Sequence, residues 1–281
     1  CALPTAQLFA TCGVVAATIP AALAAPSGNA QTLDVTVHEG TAMAIALSPD
    51  RSTIVMDLQG ILFSLPAKGG VARALTDALY DARQPCWYGD GSRIAFQSSR
   101  DGHFRIWSIK PDGSDPKVLT PGPFEAREPA CSPDGKRIAF SSERSGNYDI
   151  WELTLDSGAV RQVTSAPTDE TRASYSPDGT AIAYASEREQ ASGVYATSAS
   201  GAERLLAKVE IKPGNIAPPI GTPAWTPDGK KIVFGLVTDS VAKLMENARV
   251  ISEDEDVHTF RGAWLSGDDY LYTADGKIKR R

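Results

Sequence analysis

A tight turn followed by a short β-strand pattern recurs six times along this chain of 281 residues. An aspartate marks the turn in each repeat, and successive aspartates lie 40 to 50 residues apart: Asp50, Asp90, Asp134, Asp178, Asp228 and Asp268. Self-similarity with this period is typical of radial arrays built from four-stranded units. The sequence therefore predicts an all-β fold, a β-propeller of about six four-stranded blades, numbered here in chain order.

The third repeat shows the pattern most clearly. Pro133-Asp134-Gly135 is a turn signal, because proline presets φ at the second turn position and glycine tolerates the left-handed conformation that follows. Ile138 and Phe140 are spaced with period two, which predicts a strand. Apolar residues occupy the same two positions in other repeats: Ile54 and Met56, Ile94 and Phe96, Ile182 and Tyr184, Ile232 and Phe234. We expect these side chains to form the core between successive blades.

The first and last repeats depart from this pattern. Arg51 stands where the first repeat should have its turn glycine, so a residue with a side chain is expected in the left-handed conformation, at a cost of about 1 kcal/mol. The sixth repeat begins at Trp264 and reaches Arg281 inside its third expected strand. An open blade would leave unpaired groups at a sheet edge. We therefore expect an incomplete last blade and a chain that continues in a longer protein.

The start of the chain differs in composition from the repeats. Residues 1–25 carry no charge and end in small residues, which predicts a signal peptide cleaved near Ala24 or Ala25. A transmembrane anchor is the alternative, and Pro4 and Pro20 disfavour it. We assign residues 26–38 to a linker or closing strand and residues 39–281 to the propeller. These features predict a periplasmic or secreted protein.

Charge and motif content exclude several functions. The net charge of −6 argues against nucleic acid or an anionic membrane as the main partner, since both need a basic surface. The acidic run 253–256 could hold a divalent cation, but it lacks the spacing of a calcium loop, which favours a solvated loop. His38, His103 and His258 fit no metal-ligand spacing, and no nucleophile motif or phosphate-binding loop occurs. We expect no catalytic residue, metal or cofactor in this segment.

The cysteines raise the question of a disulfide. Cys1 and Cys12 would leave with the signal peptide, so Cys86 and Cys131 remain, four and three residues before their respective turn aspartates. Adjacent strand positions point to opposite faces of a sheet, so the two thiols are expected to diverge. We therefore expect two small buried apolar residues rather than a disulfide.

One polar set repeats in register. Three arginines lie ten residues after the turn aspartate, in the loop between the second and third strands, and three more precede the first strand: Arg100, Arg144 and Arg188, then Arg83, Arg127 and Arg172. In a propeller, both kinds of loop open on one face, around the mouth of the central channel. We call these six residues the mouth arginines. They could receive an acidic peptide or a carboxylate. Alternatively, each pairs with a nearby acid, such as Asp81, Glu128, Glu143 or Glu187.

Several stretches resemble a known repeat. Cys131-Ser-Pro-Asp-Gly-Lys-Arg-Ile-Ala-Phe-Ser-Ser, Tyr148-Asp-Ile-Trp and Arg161-Gln-Val-Thr are similar to the TolB-type propeller repeat, and the likeness covers most of the chain after residue 38. This resemblance implies a TolB-like β-propeller. It says little about function, because the repeat occurs in transport accessories, peptidases and hydrolases alike.

A narrower resemblance lies in the first repeat. Glu39-Gly40-Thr41, Leu47-Ser-Pro-Asp, the stretch Ile54 to Gly60, and Gly69-Gly70 resemble the opening of large exported amidohydrolases. That likeness implies a non-catalytic propeller segment that gates substrate or binds a protein, with a divalent metal only in a hydrolase domain outside this sequence. Two alternatives stay open: a free-standing periplasmic TolB-like interaction protein, and the propeller of a prolyl-oligopeptidase-type peptidase.

Overall fold

The computed structural model describes residues 43–188, 192–209, 220–238, 241–252 and 254–281. Within these ranges, 23 strands form six antiparallel sheets, and one short 3-10 turn spans Ala78–Tyr80. No helix in this part of the chain is long and apolar enough to cross a membrane. The predicted signal peptide, residues 1–25, and the linker or closing strand, residues 26–38, lie outside the described residues.

Each sheet corresponds to one predicted blade. Blade 1 contains β1 (Ile45–Leu47), β2 (Thr53–Leu58), β3 (Ile61–Pro66) and β4 (Arg73–Ala74). Blade 2 contains β5 (Arg83–Trp87), β6 (Ile94–Ser98), β7 (Arg105–Ile109) and β8 (Lys117–Val118). Blade 3 contains β9 (Arg127–Cys131), β10 (Arg137–Ser142), β11 (Asp149–Thr154) and β12 (Val160–Gln162).

The second half of the chain repeats this arrangement. Blade 4 contains β13 (Glu170–Tyr175), β14 (Ala181–Ser186), β15 (Gly193–Ser198) and β16 (Glu203–Lys208). Blade 5 contains β17 (Ala224–Trp225), β18 (Ile232–Thr238), β19 (Val241–Glu246) and β20 (Arg249–Val250). Blade 6 contains β21 (Ala263–Trp264), β22 (Tyr270–Ala274) and β23 (Lys277–Arg280).

The strands of every blade pair in chain order. The first strands of neighbouring blades lie against one another, so they form the inner ring around the central channel, and the fourth strands form the rim. Blade 6 has three strands in the described part of the chain. The prediction of a six-bladed all-β propeller with an incomplete last blade is confirmed.

The recurring aspartate stabilises the turn between the first and second strands. In blade 3, Asp134 Oδ1 accepts hydrogen bonds from Ser132 Oγ at 2.5 Å and from the backbone N–H of Lys136 at 3.0 Å, while Gly135 has φ of 70°. These bonds favour the ionised carboxyl, and they hold the pKa of Asp134 below its usual value. Arg51 has φ of 61°, as predicted for the first repeat.

The core lies between blades. Six clusters of buried apolar side chains occur among the described residues, and each contains residues from two consecutive blades. The predicted isoleucine and aromatic positions are buried, for example Ile138 and Phe140. One cluster joins Leu271 and Ile278 of blade 6 to Ile45 and Met56 of blade 1. The six clusters therefore account for every neighbouring pair, and blade 6 closes the ring against blade 1.

The expected absence of a disulfide is wrong. Cys86 in blade 2 and Cys131 in blade 3 are disulfide-bonded, with their Cα atoms 5.7 Å apart. When the two blades are superimposed, the side chains of Cys86 and Cys131 do point to opposite faces of the sheet. In a ring, however, one face of a blade packs on the opposite face of the next, so residues at opposite-facing positions meet. The sheet neighbours of the two cysteines, Ala95 and Ile138, accordingly share one core cluster.

Candidate functional site

One face of the propeller brings the mouth arginines together. Because strands alternate in direction, the connections that enter the first strands and the loops between second and third strands open on the same side. Contacts across the two kinds of loop confirm this placement: Arg100 lies over the ring of Tyr80 at 4.1 Å, and Arg188 contacts Glu170 at 3.0 Å. We call this side the channel-mouth face.

Five of the six mouth arginines pair with carboxylates in the described part of the chain. The closest pairs are Arg83–Asp81 at 2.8 Å, Arg127–Glu125 at 2.6 Å, Arg172–Glu128 at 3.6 Å, Arg100–Asp77 at 3.5 Å, and Arg188–Glu203 at 2.8 Å. Asp81 and Glu128 are predicted partners, whereas Glu125, Asp77 and Glu203 are not. Internal pairing therefore accounts for most of the set, and exposed pairs of this kind contribute about 0–1 kcal/mol each.

Arg144 is the exception. Among the described residues, no carboxylate lies within ion-pair distance of its guanidinium, whose Nε donates to Ser142 Oγ at 3.1 Å. The guanidinium lies over the rings of Trp151, Phe140 and Phe124, at 4.9, 5.3 and 5.7 Å. Burial lowers the pKa of Arg144 from its usual value, although the group stays a cation near neutrality. Phe124 remains 46% exposed, so a cation and an accessible aromatic ring stand side by side.

Beneath the mouth, the inner strands carry a repeated bulge. Gln84, Glu128 and Arg172 each lie six residues before a turn aspartate, and each adopts the left-handed conformation, with φ of 52°, 55° and 62°. Strand pairing shifts register at each of these places. The freed N–H groups donate to side chains of the preceding blade: Gln84 to Asp57 at 2.6 Å, Glu128 to Gln97 at 2.7 Å, and Arg172 to Glu128 at 2.9 Å. Polar side chains therefore lie along the inner strands.

Asp57 is a buried ionisable group at this level. Its carboxylate also accepts the N–H of Ala44 at 2.7 Å, yet desolvation outweighs both hydrogen bonds and raises the pKa of Asp57 to about 6. Between pH 4 and 6 the folded protein thus keeps a proton that the unfolded chain releases. The contribution of Asp57 to stability should therefore fall as pH rises through this window and level off above it.

Replacing Asp57 with asparagine removes this titration. We expect the stability of Asp57→Asn relative to the wild type, measured by urea unfolding, to rise between pH 4 and 6 and to level off above pH 6. Parallel pH profiles for the two proteins would contradict the raised pKa.

Arg261, in the connection before β21, is a further arginine of this kind that was not predicted from the sequence. Its Nη2 donates to the carbonyl oxygen of Ala173, while Nε is buried without a hydrogen-bond partner among the described residues. Desolvation lowers the pKa of Arg261 to about 10. Arg261 lies seven residues before Asp268, as Arg83 and Arg127 lie seven before their own turn aspartates. Applying the same spacing, seven residues before the turn aspartate, to the sixth repeat would have identified Arg261.

The other candidates are the three histidines and the acidic run; His103 is exposed. His258 Nδ1 accepts the N–H of Met43 at 3.3 Å, and His38 is not described. In the acidic run, Glu255 accepts from Tyr272 Oη at 3.0 Å and from Lys279 Nζ at 2.9 Å, and Glu253 is not described. No group of three or more His, Cys, Asp or Glu side chains in the described ranges could hold a metal ion.

Comparison with known proteins gives a family match over part of the chain. Residues 122–255 match the family model of the TolB beta propeller domain. No curated protein sequence matches the chain significantly.

Solved structures share the fold at low sequence identity. A protein provisionally assigned as TolB from Agrobacterium tumefaciens is 20% identical, with a TM-score of 0.63, over 84% of this chain and 87% of that one. TolB from Acinetobacter baumannii is 21% identical, with a TM-score of 0.55, over 85% of this chain and 62% of that one. Puromycin hydrolase is 16% identical, with a TM-score of 0.51, over 72% of this chain and 34% of that one.

The family match and the six-bladed ring agree with each other. The matched residues 122–255 include blades 3, 4 and 5 with their complete sets of four strands, and the structural likeness to TolB proteins extends over most of the chain. The protein contains a TolB-like β-propeller.

Proposed function

We propose that this chain is an exported, non-catalytic propeller segment that binds a protein or peptide through its channel-mouth face. A closed ring of blades is a rigid support, and its loops can vary without disturbing the core. Five of the mouth arginines pair with carboxylates of the same chain. Their charge is therefore largely neutralised, and their main role is to hold the loops of this face in position.

The observation that carries this proposal is Arg144. A guanidinium that has no carboxylate partner in the described part of the chain, and that stacks on aromatic rings beside the exposed Phe124, offers both charge and apolar area to a partner. Arginine and aromatic residues are the side chains most enriched at binding hot spots. An acidic peptide segment that also carries an apolar side chain would satisfy both groups.

The proposed compartment is the periplasm or the cell exterior. Disulfides form and persist in oxidising compartments, and the Cys86–Cys131 bridge suits such a place. The likeness to TolB proteins and the predicted signal peptide point the same way. No membrane contact is proposed once the signal peptide is removed.

We further propose that the segment belongs to an amidohydrolase-type hydrolase, with its metal in another domain. A propeller can form part of a larger hydrolase chain, as the 34% coverage of puromycin hydrolase illustrates. The free-standing TolB-like interaction protein remains the second candidate, because the Agrobacterium tumefaciens structure matches over most of both chains. The coding sequence downstream of Arg281 separates the two. A His-x-His motif followed by further metal ligands supports the hydrolase, and an early stop codon supports the interaction protein.

The binding role of Arg144 can be tested with peptides selected from a displayed random library on the wild-type propeller. We expect selected peptides to carry Asp or Glu, and their affinity to fall about tenfold or more for Arg144→Gln. Arg144→Lys should recover only part of the loss, because lysine keeps the charge but not the planar stacking.

Arg249→Gln is the matched control, since Arg249 is 77% exposed on the rim strand β20. Selected peptides that bind Arg144→Gln as tightly as the wild type would refute the role of Arg144.

A further inference from the structure

Two arginine side chains, those of Arg172 and Arg261, each donate a hydrogen bond to the backbone of another blade near the inner strands. Arg172 lies on β13, the innermost strand of blade 4, and its Nη1 donates to the carbonyl oxygen of Ile220 in the segment leading into blade 5. Arg261 enters from the connection before blade 6. Each donates to the backbone of a different blade, so neither hydrogen bond neutralises its charge.

The contact made by Arg261 places its side chain across the channel. Ala173, which accepts from Arg261 Nη2, belongs to β13 in blade 4, while Arg261 belongs to blade 6. These blades are not neighbours, because blade 5 stands between them. A side chain that joins the inner edges of non-adjacent blades must pass through the space that the inner strands enclose.

The charges at this level do not balance. Glu128 Oε1 lies 3.6 Å from Arg172 Nε, and the Glu128 carboxylate acts on Arg261 through longer-range electrostatics. Glu128 already accepts hydrogen bonds from Ser141 Oγ at 2.9 Å and from the N–H of Arg172 at 2.9 Å. Glu128 therefore pairs with Arg172, whereas in the described residues Arg261 has no carboxylate within ion-pair distance.

Burying a cation without a counter-charge costs free energy, and an anion that binds to the cation offsets much of that cost. Arg172 keeps 31% of its side chain accessible, and Arg261 is partly buried with its Nε fully buried. A guanidinium matches a carboxylate in shape, because two N–H donors face two oxygens.

We propose that the channel holds a binding site for one carboxylate, between Arg261 and Arg172. The ligand is either a small organic acid or the carboxylate of a peptide that enters through the channel mouth. The single excess positive charge fits one monoanionic group rather than a polyanion. This site is separate from the Arg144 contact, so either can exist without the other.

The test is calorimetric titration of the whole chain in a carboxylate-free chloride buffer at constant ionic strength. The probes are acetate, the tetrapeptide Gly-Ser-Gly-Ala with a free C-terminal carboxylate, and the same peptide as its C-terminal amide. We expect saturable binding of acetate, of the free-acid peptide, or of both, and at least about tenfold weaker binding of the amide. Acetate alone identifies a small-acid site, and the free-acid peptide alone identifies a peptide terminus.

Two variants and a control assign the binding to these residues. Arg261→Gln should weaken carboxylate binding about tenfold or more, whereas Arg249→Gln on the rim should leave it unchanged. Glu128→Gln removes the competing internal carboxylate while its side-chain oxygen can still accept hydrogen bonds, so affinity should rise severalfold. Such a gain cannot arise from misfolding. No saturable binding to the wild type, equal affinity in Arg261→Gln, or weaker binding in Glu128→Gln would each overturn the proposal.

Discussion

Replacing Leu271 with alanine should lower the free energy of unfolding by about 2–5 kcal/mol, the usual cost of cutting a buried leucine back to alanine. Leu271 is only 1% exposed, and it packs in the cluster that joins blade 6 to blade 1. The loss should appear as a lower midpoint of urea unfolding with an unchanged slope. The effect is large because the cavity opens at the interface that closes the ring.

The matched control for this variant is Leu205→Ala. Leu205 lies on the rim strand β16 and is 43% exposed, so its truncation should cost about 0.5 kcal/mol or less. If blade 6 did not pack on blade 1, Leu271 would face solvent and the two variants would behave alike. Equal midpoints for the two variants would therefore contradict the closed ring.

Removing the Cys86–Cys131 disulfide should lower stability by about 2–4 kcal/mol. The bridge links positions 45 residues apart, and a cross-link of this length restricts the unfolded chain considerably. We expect the double variant Cys86→Ala, Cys131→Ala to unfold at a lower urea concentration than the oxidised wild type. A thiol reductant should shift the wild type towards the double variant and leave the variant itself unchanged.

The bridge itself can be checked without mutation. Mass spectrometry of a non-reduced digest should find the peptide containing Cys86 linked to the peptide containing Cys131. Free thiols at both positions in the protein purified without reductant, or a double variant as stable as the wild type, would contradict the structure.

Most of the fold could be predicted from the sequence because the repeat constrains each blade locally. The turn aspartate, the proline before it and the period-two apolar residues act within a few positions of one another, as in Ser132 to Phe140. Even the unusual φ of Arg51 follows from the register of its turn. Local rules of this kind need no knowledge of neighbouring blades.

Features that depend on parts of the chain far apart in sequence were harder to predict. The disulfide was missed because the facing rule for a single sheet does not apply between successive blades of a ring. The acid partners of Arg100 and Arg188, Asp77 and Glu203, lie 23 and 15 residues away in sequence, where proximity depends on the course of the loops. Arg144 could not be distinguished from its two register equivalents, because the sequence does not show which guanidinium remains without a carboxylate.

Hydrogen exchange with and without a selected acidic peptide tests the central claim that this propeller binds through its channel-mouth face. We predict that the peptide slows amide exchange in the loop 143–148 around Arg144 and in the connection 119–126 that carries Phe124. The turns 132–136 and 155–159 open on the opposite face and should exchange at an unchanged rate. Protection confined to those turns, with none around Arg144, would contradict the account.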